Sequence, residues 1–243
     1  MAWEKHDMVE YKLGISGLDD AIGNVKGGSN IMLMGPPMSK KEVIINNIAY
    51  QGLITGESSI FITTGESGES IVSWFKDNGK DIKDYIDRLG VIDCVSKTLG
   101  LNVEDTEYIK RISSPVNLTG ISVGITNFFE EFWMKKGIQK SRLCVDSLST
   151  ILMYSNLQTV FRFLHVHTRR IKTAGALGVY IIESGMHDEQ TITTLKQLFD
   201  GVIEIEEENE SYFIRSIGLT QKPTKWFEYV ADGAEIALKH KER

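Results

Sequence analysis

The segment Asn30-Ile31-Met32-Leu33-Met34-Gly35-Pro36-Pro37-Met38-Ser39-Lys40-Lys41-Glu42 joins an apolar run of strand length to the start of a helical pattern. A turn in that setting is where G-x-x-x-x-G-K-[ST] acquires meaning: backbone N–H groups cradle phosphates, the lysine neutralises them and the hydroxyl ligates Mg²⁺. Gly35 stands at the first glycine, Lys41 at the lysine, and Ser39 lies within the loop. Lys40 replaces the second glycine and Glu42 replaces the hydroxyl residue.

Both replacements have chemical consequences. The second glycine lets the backbone close on the anion, and Lys40 brings a Cβ and a long side chain into that space while adding a favourable charge. Glu42 either ligates Mg²⁺ directly or repels the phosphates. Two unit charges about 4 Å apart interact by about 4 kcal/mol at an effective dielectric of 20. A third of that weakens binding about tenfold. A carboxylate in a helix's first turn also complements the helix dipole, so Glu42 has a purely structural use as well. The loop therefore names ATP and Mg²⁺ as the cofactors to expect, with Lys40 and Glu42 working against their retention.

The elements that must position this loop read as an α/β alternation. Strand-length apolar runs occupy Asn30 to Met34, Ser59 to Thr63, Val91 to Val95, Arg142 to Val145 and Leu177 to Ile182. Near-continuous apolar runs are expected of parallel strands covered on both faces. Helical patterns intervene at about Lys41 to Leu53, Ser70 to Lys76, Ile121 to Met134 and Leu157 to Thr173. Beyond Asp200, short strands are expected at Val202 to Ile205, Tyr212 to Ile217, Trp226 to Val230 and Glu235 to Leu238. The alternation in Tyr212 to Ile217 points to an antiparallel edge. Ser96 to Gly120 has weak periodicity and reads as irregular and mobile. No linker breaks the chain, so residues 1–243 read as one domain.

Composition limits the function classes. The 243 residues carry 33 acidic and 27 basic side chains, for a formal net charge of −6, which weighs against a surface built for nucleic acid. No apolar run approaches the roughly 20 residues of a membrane span. Cys94 and Cys144, each in an apolar stretch, read as buried thiols of a reduced, cytoplasmic protein. His165 and His167 lie two apart on a helix and face different ways, so they make no i, i+4 metal pair. His187-Asp188-Glu189, with Glu183 nearby, reads as a polar loop leaving the fifth strand rather than a metal cluster. Phe128, Phe129, Phe132 and Trp133 recur at helical spacing, as core packing requires, with a protein interface as the minority reading.

Four segments in order carry a resemblance to the KaiC-like branch of the RecA superfamily. They are Gly14-Ile15-Ser16-Gly17-Leu18-Asp19, Val25-Lys26-Gly27-Gly28-Ser29, Arg142-Leu143-Cys144-Val145-Asp146-Ser147-Leu148-Ser149 and Leu198-Phe199-Asp200-Gly201-Val202-Ile203-Glu204. The resemblance implies a RecA-like P-loop NTPase fold: a central, mainly parallel sheet flanked by helices, with short antiparallel C-terminal strands. It makes Asp146 the Walker B residue that holds a Mg²⁺-bound water when ATP is present. Read without the resemblance, Asp146 is a strand-end aspartate capping the next turn. In the family's acidic run after the second strand, Gly65 takes the first position and only Glu66 remains as a catalytic carboxylate. For the basic residues that neighbouring subunits lend to the phosphates, Arg215-Ser216-Ile217-Gly218 is the nearest match. The expected function is thus regulatory, through a protein partner or self-association, with weak or no ATP hydrolysis. The rival is an active ATPase using Lys41, Glu42, Glu66 and Asp146 in a rearranged site. Recombinase-like DNA binding ranks last on charge.

Overall fold

The protein is described by a computed structural model covering residues 9–242. Two short strands, β1 (Glu10–Tyr11) and β2 (Val25–Lys26), pair antiparallel on either side of α1 (Ser16–Ile22). The Gly14-to-Asp19 segment has a local reason for its composition. The Asp19 carboxylate accepts the N–H groups of Leu13, Gly14 and Ile15 at 2.7, 2.8 and 3.2 Å, and Gly14 turns through φ +82° to permit it.

The chain then alternates through β3 (Asn30–Gly35), α2 (Lys41–Ile54), β4 (Ser58–Thr63), α3 (Gly68–Asp77), β5 (Leu89–Asp93) and β6 (Ile109–Arg111). It continues through α4 (Leu118–Glu130), β7 (Ser141–Asp146), α5 (Leu148–Tyr154), α6 (Leu157–Ala174), β8 (Leu177–Glu183) and α7 (Glu189–Lys196). A meander of β9 (Gly201–Glu208), β10 (Ser211–Ile217), β11 (Phe227–Asp232) and β12 (Glu235–Glu242) follows. These strands form one sheet in the order β12-β11-β10-β9-β3-β8-β7-β4-β5-β6. Pairing is parallel from β9 through β6 and antiparallel from β9 to β12.

Successive strand residues point to opposite faces, and the core divides accordingly. Ile31, Leu33, Phe61 and Val179 pack with Ile44, Ile48 and Phe75 from α2 and α3. Met32, Ile60, Ile62 and Tyr180 pack on the other face with Phe128 from α4, Phe132 just beyond its end and Leu164 from α6. The fold is therefore the expected mainly parallel sheet with helices on both faces and an antiparallel end.

Several local expectations need correction. The stretch from Ser96 to Gly120 is not uniformly irregular, because it holds β6 and the start of α4. At three residues, β6 is too short to show periodicity, and its outer edge is closed by its own preceding loop. Thr106 Oγ1 accepts the Ile109 N–H and Asp105 Oδ1 accepts the Arg111 N–H, both at 2.9 Å. Strand β5 ends at Asp93 instead of Val95. There the buried Asp93 carboxylate accepts Gly68 N–H, Val95 N–H, Ser96 N–H and Ser96 Oγ–H, which turns the chain. Burial alone would raise the Asp93 pKa, but these hydrogen bonds hold it below the ordinary carboxylate value. Cys94 and Cys144 are nonetheless both buried free thiols.

The polar stretch after β8 is only partly a loop. Asp188 caps α7 by accepting the Thr191 N–H at 2.7 Å, and among the described residues no group of three His, Cys, Asp or Glu is placed to hold a metal ion. His167 is buried, with Nε2 2.9 Å from Ser122 Oγ, and desolvation pushes its pKa down to about 4. No described helix is long and apolar enough to cross a membrane.

Candidate functional site

Strand β3 delivers Gly35 to the C-terminal edge of the sheet, and α2 begins at Lys41, so residues 35 to 41 form the turn between them. Gly35 is tightly enclosed: a Cβ there would meet Ile205 Cβ at 2.7 Å and Ser39 Oγ at 3.1 Å. Lys40 caps α2 without a side-chain hydrogen bond, in the left-handed conformation at φ 61° and ψ 30°. The loop thus keeps the backbone shape that a second glycine serves, although an L-residue occupies it. Left-handed backbone costs an L-residue about 1 kcal/mol, and Lys40 is exposed with no packing to lose. Lys40→Gly is therefore expected to leave stability unchanged or raise it by up to about 1 kcal/mol in urea denaturation, despite the freer unfolded chain. A clear loss of stability would show that the Lys40 side chain contributes contacts.

Lys41 is 2% exposed and folded back over the loop. Its ammonium donates to the Pro36 carbonyl and to Ser39 Oγ at 3.1 Å, and it pairs with Glu183 Oε2 at 3.0 Å. Ser39 Oγ–H in turn donates to Pro36 O at 2.7 Å, and the Tyr229 hydroxyl donates to the Ser39 carbonyl. Glu183 was absent from the phosphate-loop reading, as was Tyr229. The sheet supplies both. Parallel register sets Glu183 on β8 directly beside Gly35 on β3, and β11 brings Tyr229 from the far end of the chain.

Asp146 ends β7 and is half-buried. Desolvation pushes its pKa up to about 6; Glu42, Glu66 and Glu183 add to the rise and Lys41 opposes it. Strand register gathers them at one edge of the sheet, with Glu183 beside Gly35, Asp146 beside Thr63 just before Glu66, and Lys41 and Glu42 opening α2. The capping role of Asp146 does not hold, since Ser147 Oγ accepts the Thr150 N–H at the start of α5. Glu66 is exposed, and Thr63 Oγ1 holds its backbone by donating to its carbonyl at 2.8 Å and accepting its N–H at 3.2 Å. Beside it Gly65 is also exposed, and a Cβ at that position would meet nothing within 4 Å. Glu42 is exposed in the first turn of α2. Arg215 is engaged within its own chain: it donates to Glu204 Oε2 at 2.7 and 3.0 Å and lies 4.4 Å over the Trp226 ring.

Relatives sharing this architecture are recognisable. Two curated relatives, both UPF0273 proteins, are from Pyrococcus horikoshii and Saccharolobus solfataricus. The first is 24% identical over 163 residues, spanning 66% of this chain and 62% of its own length. The second is 23% identical over 216 residues, spanning 86% of this chain and 74% of its own. A KaiC-like protein from Pyrococcus horikoshii superposes with a TM-score of 0.71 at 16% identity, covering 95% of this chain and 99% of that one. Another structure from the same organism, an uncharacterized protein in complex with an unknown peptide, has a TM-score of 0.74 at 17% identity, covering 96% and 99%. A family profile, "Family of unknown function (DUF7504)", matches residues 28–205. With its sheet order and these likenesses together, the chain has a KaiC-like fold and belongs to the DUF7504 family.

Proposed function

We propose that this protein acts by binding a protein partner, and that its phosphate loop holds Mg-ATP weakly or not at all and hydrolyses it slowly. The observation that carries this reading is the commitment of Lys41. Its ammonium is buried and already met by Glu183, Ser39 Oγ and the Pro36 carbonyl. A polyphosphate would have to displace Glu183 from Lys41 and then tolerate the negative field of Glu42, Glu66 and Asp146. As they stand, these residues suit a cation better than a polyphosphate, and no catalytic step is derived through ATP. Arg215 supports the same reading, since its pairing with Glu204 leaves it poorly placed to serve a neighbour's phosphates. The peptide held by the Pyrococcus horikoshii protein of like fold is consistent with a binding role for this architecture.

The rival reading has its own support. The crowd of carboxylates that raises the Asp146 pKa is one that a divalent cation would relieve, as a rearranged Mg-ATP site needs. Nucleotide affinity measured with and without Mg²⁺, alongside turnover, separates the two. Ligand shared across a subunit border stabilises assembly in proportion to its occupancy. Adding Mg-ATP is therefore expected to leave the oligomeric state unchanged in light scattering coupled to size exclusion. An ATP-driven shift from monomer to hexamer, or turnover at the rate of an intact ATPase, overturns the proposal in favour of the rival.

A further inference from the structure

A groove of about 550 Å³ runs between α4 and α6, on the sheet face opposite α2 and remote from the phosphate loop. Its floor is largely apolar, built from Phe129, Trp133, Met134 and Ala174. The floor is preformed. The Phe129 and Trp133 rings meet at 5.0 Å, and the Trp133 indole N–H donates to Ser141 Oγ on β7 at 2.8 Å. Helix α4 runs into a π turn, Glu131–Lys135, and such turns recur at functional sites. Met134 sits on this turn and is 82% exposed.

The apolar surface continues along both helices. Val123 precedes Thr126 by one turn of α4, and Val166 precedes Arg169 and Arg170 by one turn of α6; Val123 and Val166 are 54% and 47% exposed. From Val123 to Met134 the face is about 16 Å long at 1.5 Å per residue, or about three helical turns.

Charge is distributed unevenly around this groove. Helix α6 carries Arg162, Arg169, Arg170 and Lys172 and no acidic residue, in a chain whose net charge is −6. Lys172 is paired with Asp200, and Arg170 donates to Thr126 Oγ1 at 3.1 Å. Among the described residues, neither Arg169 nor Arg170 has a carboxylate partner, although both are exposed at the groove's rim. Glu130 lines the groove as well.

Resting on the partner-binding reading above, we infer that the α4–α6 groove receives an amphipathic helix of a protein partner, whose apolar stripe lies over Trp133 and Met134 and whose Asp or Glu residues meet Arg169 and Arg170. A three-turn groove matches the i, i+3, i+4, i+7 anchors of helix-in-groove recognition. A second copy presenting the same face would offer Arg169 and Arg170 only Glu130 among the groove-lining residues as a carboxylate, a poorer match than an acidic helix. Nucleic acid would leave the apolar floor unused.

The test uses the full chain and a labelled synthetic helix of about 18 residues, long enough to be helical, with leucines on one stripe and glutamates flanking it. A matched peptide carries lysines in place of the glutamates. Fluorescence anisotropy is expected to show saturable binding of the acidic peptide to the native protein and equally to Lys76→Glu, a charge reversal on α3 across the sheet. Binding should weaken at least about tenfold in Arg169→Glu/Arg170→Glu, and the lysine peptide should prefer that variant. Met134→Glu, at a side chain too exposed to matter for folding, should weaken binding comparably.

Absence of saturable binding overturns the inference, as does binding that survives both the double charge reversal and Met134→Glu. Displacement of the peptide by an oligonucleotide at physiological salt would reassign the groove to nucleic acid. Self-association abolished by these same variants would reassign it to a second copy. Turnover is read separately, so a fast ATPase that still binds the peptide removes the proposed function and leaves the groove standing.

Discussion

The triple variant Lys40→Gly, Glu42→Thr and Gly65→Glu is expected to raise Mg-ATP affinity by at least about tenfold and to raise turnover with it. Each change is sterically admissible. Lys40 already has left-handed backbone, Glu42 is exposed, and the space around Gly65 is open. Removing the Glu42 carboxylate lifts a repulsion of which even a third, at about 4 kcal/mol for a close charge pair, corresponds to a factor of ten. The threonine restores the hydroxyl that ligates Mg²⁺ in an intact loop, and the new glutamate fills the first acidic position after β4. Lys41 must still exchange Glu183 for phosphate, so Glu183→Gln added to the triple variant should raise affinity further. Isothermal titration with Mg-ATP and a phosphate-release assay check both. A folded triple variant with no gain in either would show that the obstacle lies elsewhere, with the Lys41–Glu183 pair as the next candidate.

The largest stability effect is expected at Glu57. Its carboxylate accepts from Arg142 Nε at 2.6 Å and pairs with Lys140 at 2.9 Å, while Arg142 Nη1 donates to the carbonyls of Lys12 and Ile48, each at 2.8 Å. Arg142 is 1% exposed, and a Cβ at Gly52 would come within 2.7 Å of its Nε, so the guanidinium cannot swing away to water. Removing one partner of a buried ion pair leaves an uncompensated charge and costs about 3–5 kcal/mol. Glu57→Ala is therefore expected to lose stability in that range by urea denaturation, and Glu57→Gln to lose less because it keeps an acceptor for Arg142. A loss below about 1 kcal/mol in Glu57→Ala would mean that Arg142 is hydrated in the variant.

Much of this architecture was legible because buried parallel strands must be apolar on both faces. Each of the five parallel strands read from apolar runs lies within about two residues of its observed bounds. One of the polar residues inside those runs is instructive. Arg142 precedes the apolar Leu143-Cys144-Val145 in β7, and nothing local explains its burial, because its partners Glu57, Lys12 and Ile48 come from three other segments. The short elements α1, α5 and β6 were not legible, since seven residues or fewer hold too little of either period to register. The polar run at His187 read as a loop because its helix is short and presents few apolar residues, with Leu195 alone fully buried.

The primary structure settled the strand–turn–helix unit that carries Gly35, Lys40, Lys41 and Glu42, because apolar periodicity and the Gly-Pro-Pro break are properties of consecutive residues. It equally determined which loop positions depart from the phosphate-binding pattern. What Lys41 does there was a matter for the folded sheet. Glu183 is far away in the chain, yet parallel pairing of β3 with β8 places it beside Gly35 and within 3.0 Å of the ammonium. The same holds for Arg215, bound to Glu204 only because β9 and β10 pair in the register Arg215↔Glu204. It holds again for the α4–α6 groove, whose aromatics fit a core helix by periodicity. Only the packing of α6 alongside α4 left Phe129 and Trp133 half-covered while Phe128 and Phe132 filled the core. Side-chain spacing is local and can be read along a chain, whereas a charge's partner is chosen by strand order and register, which contacts between distant segments establish.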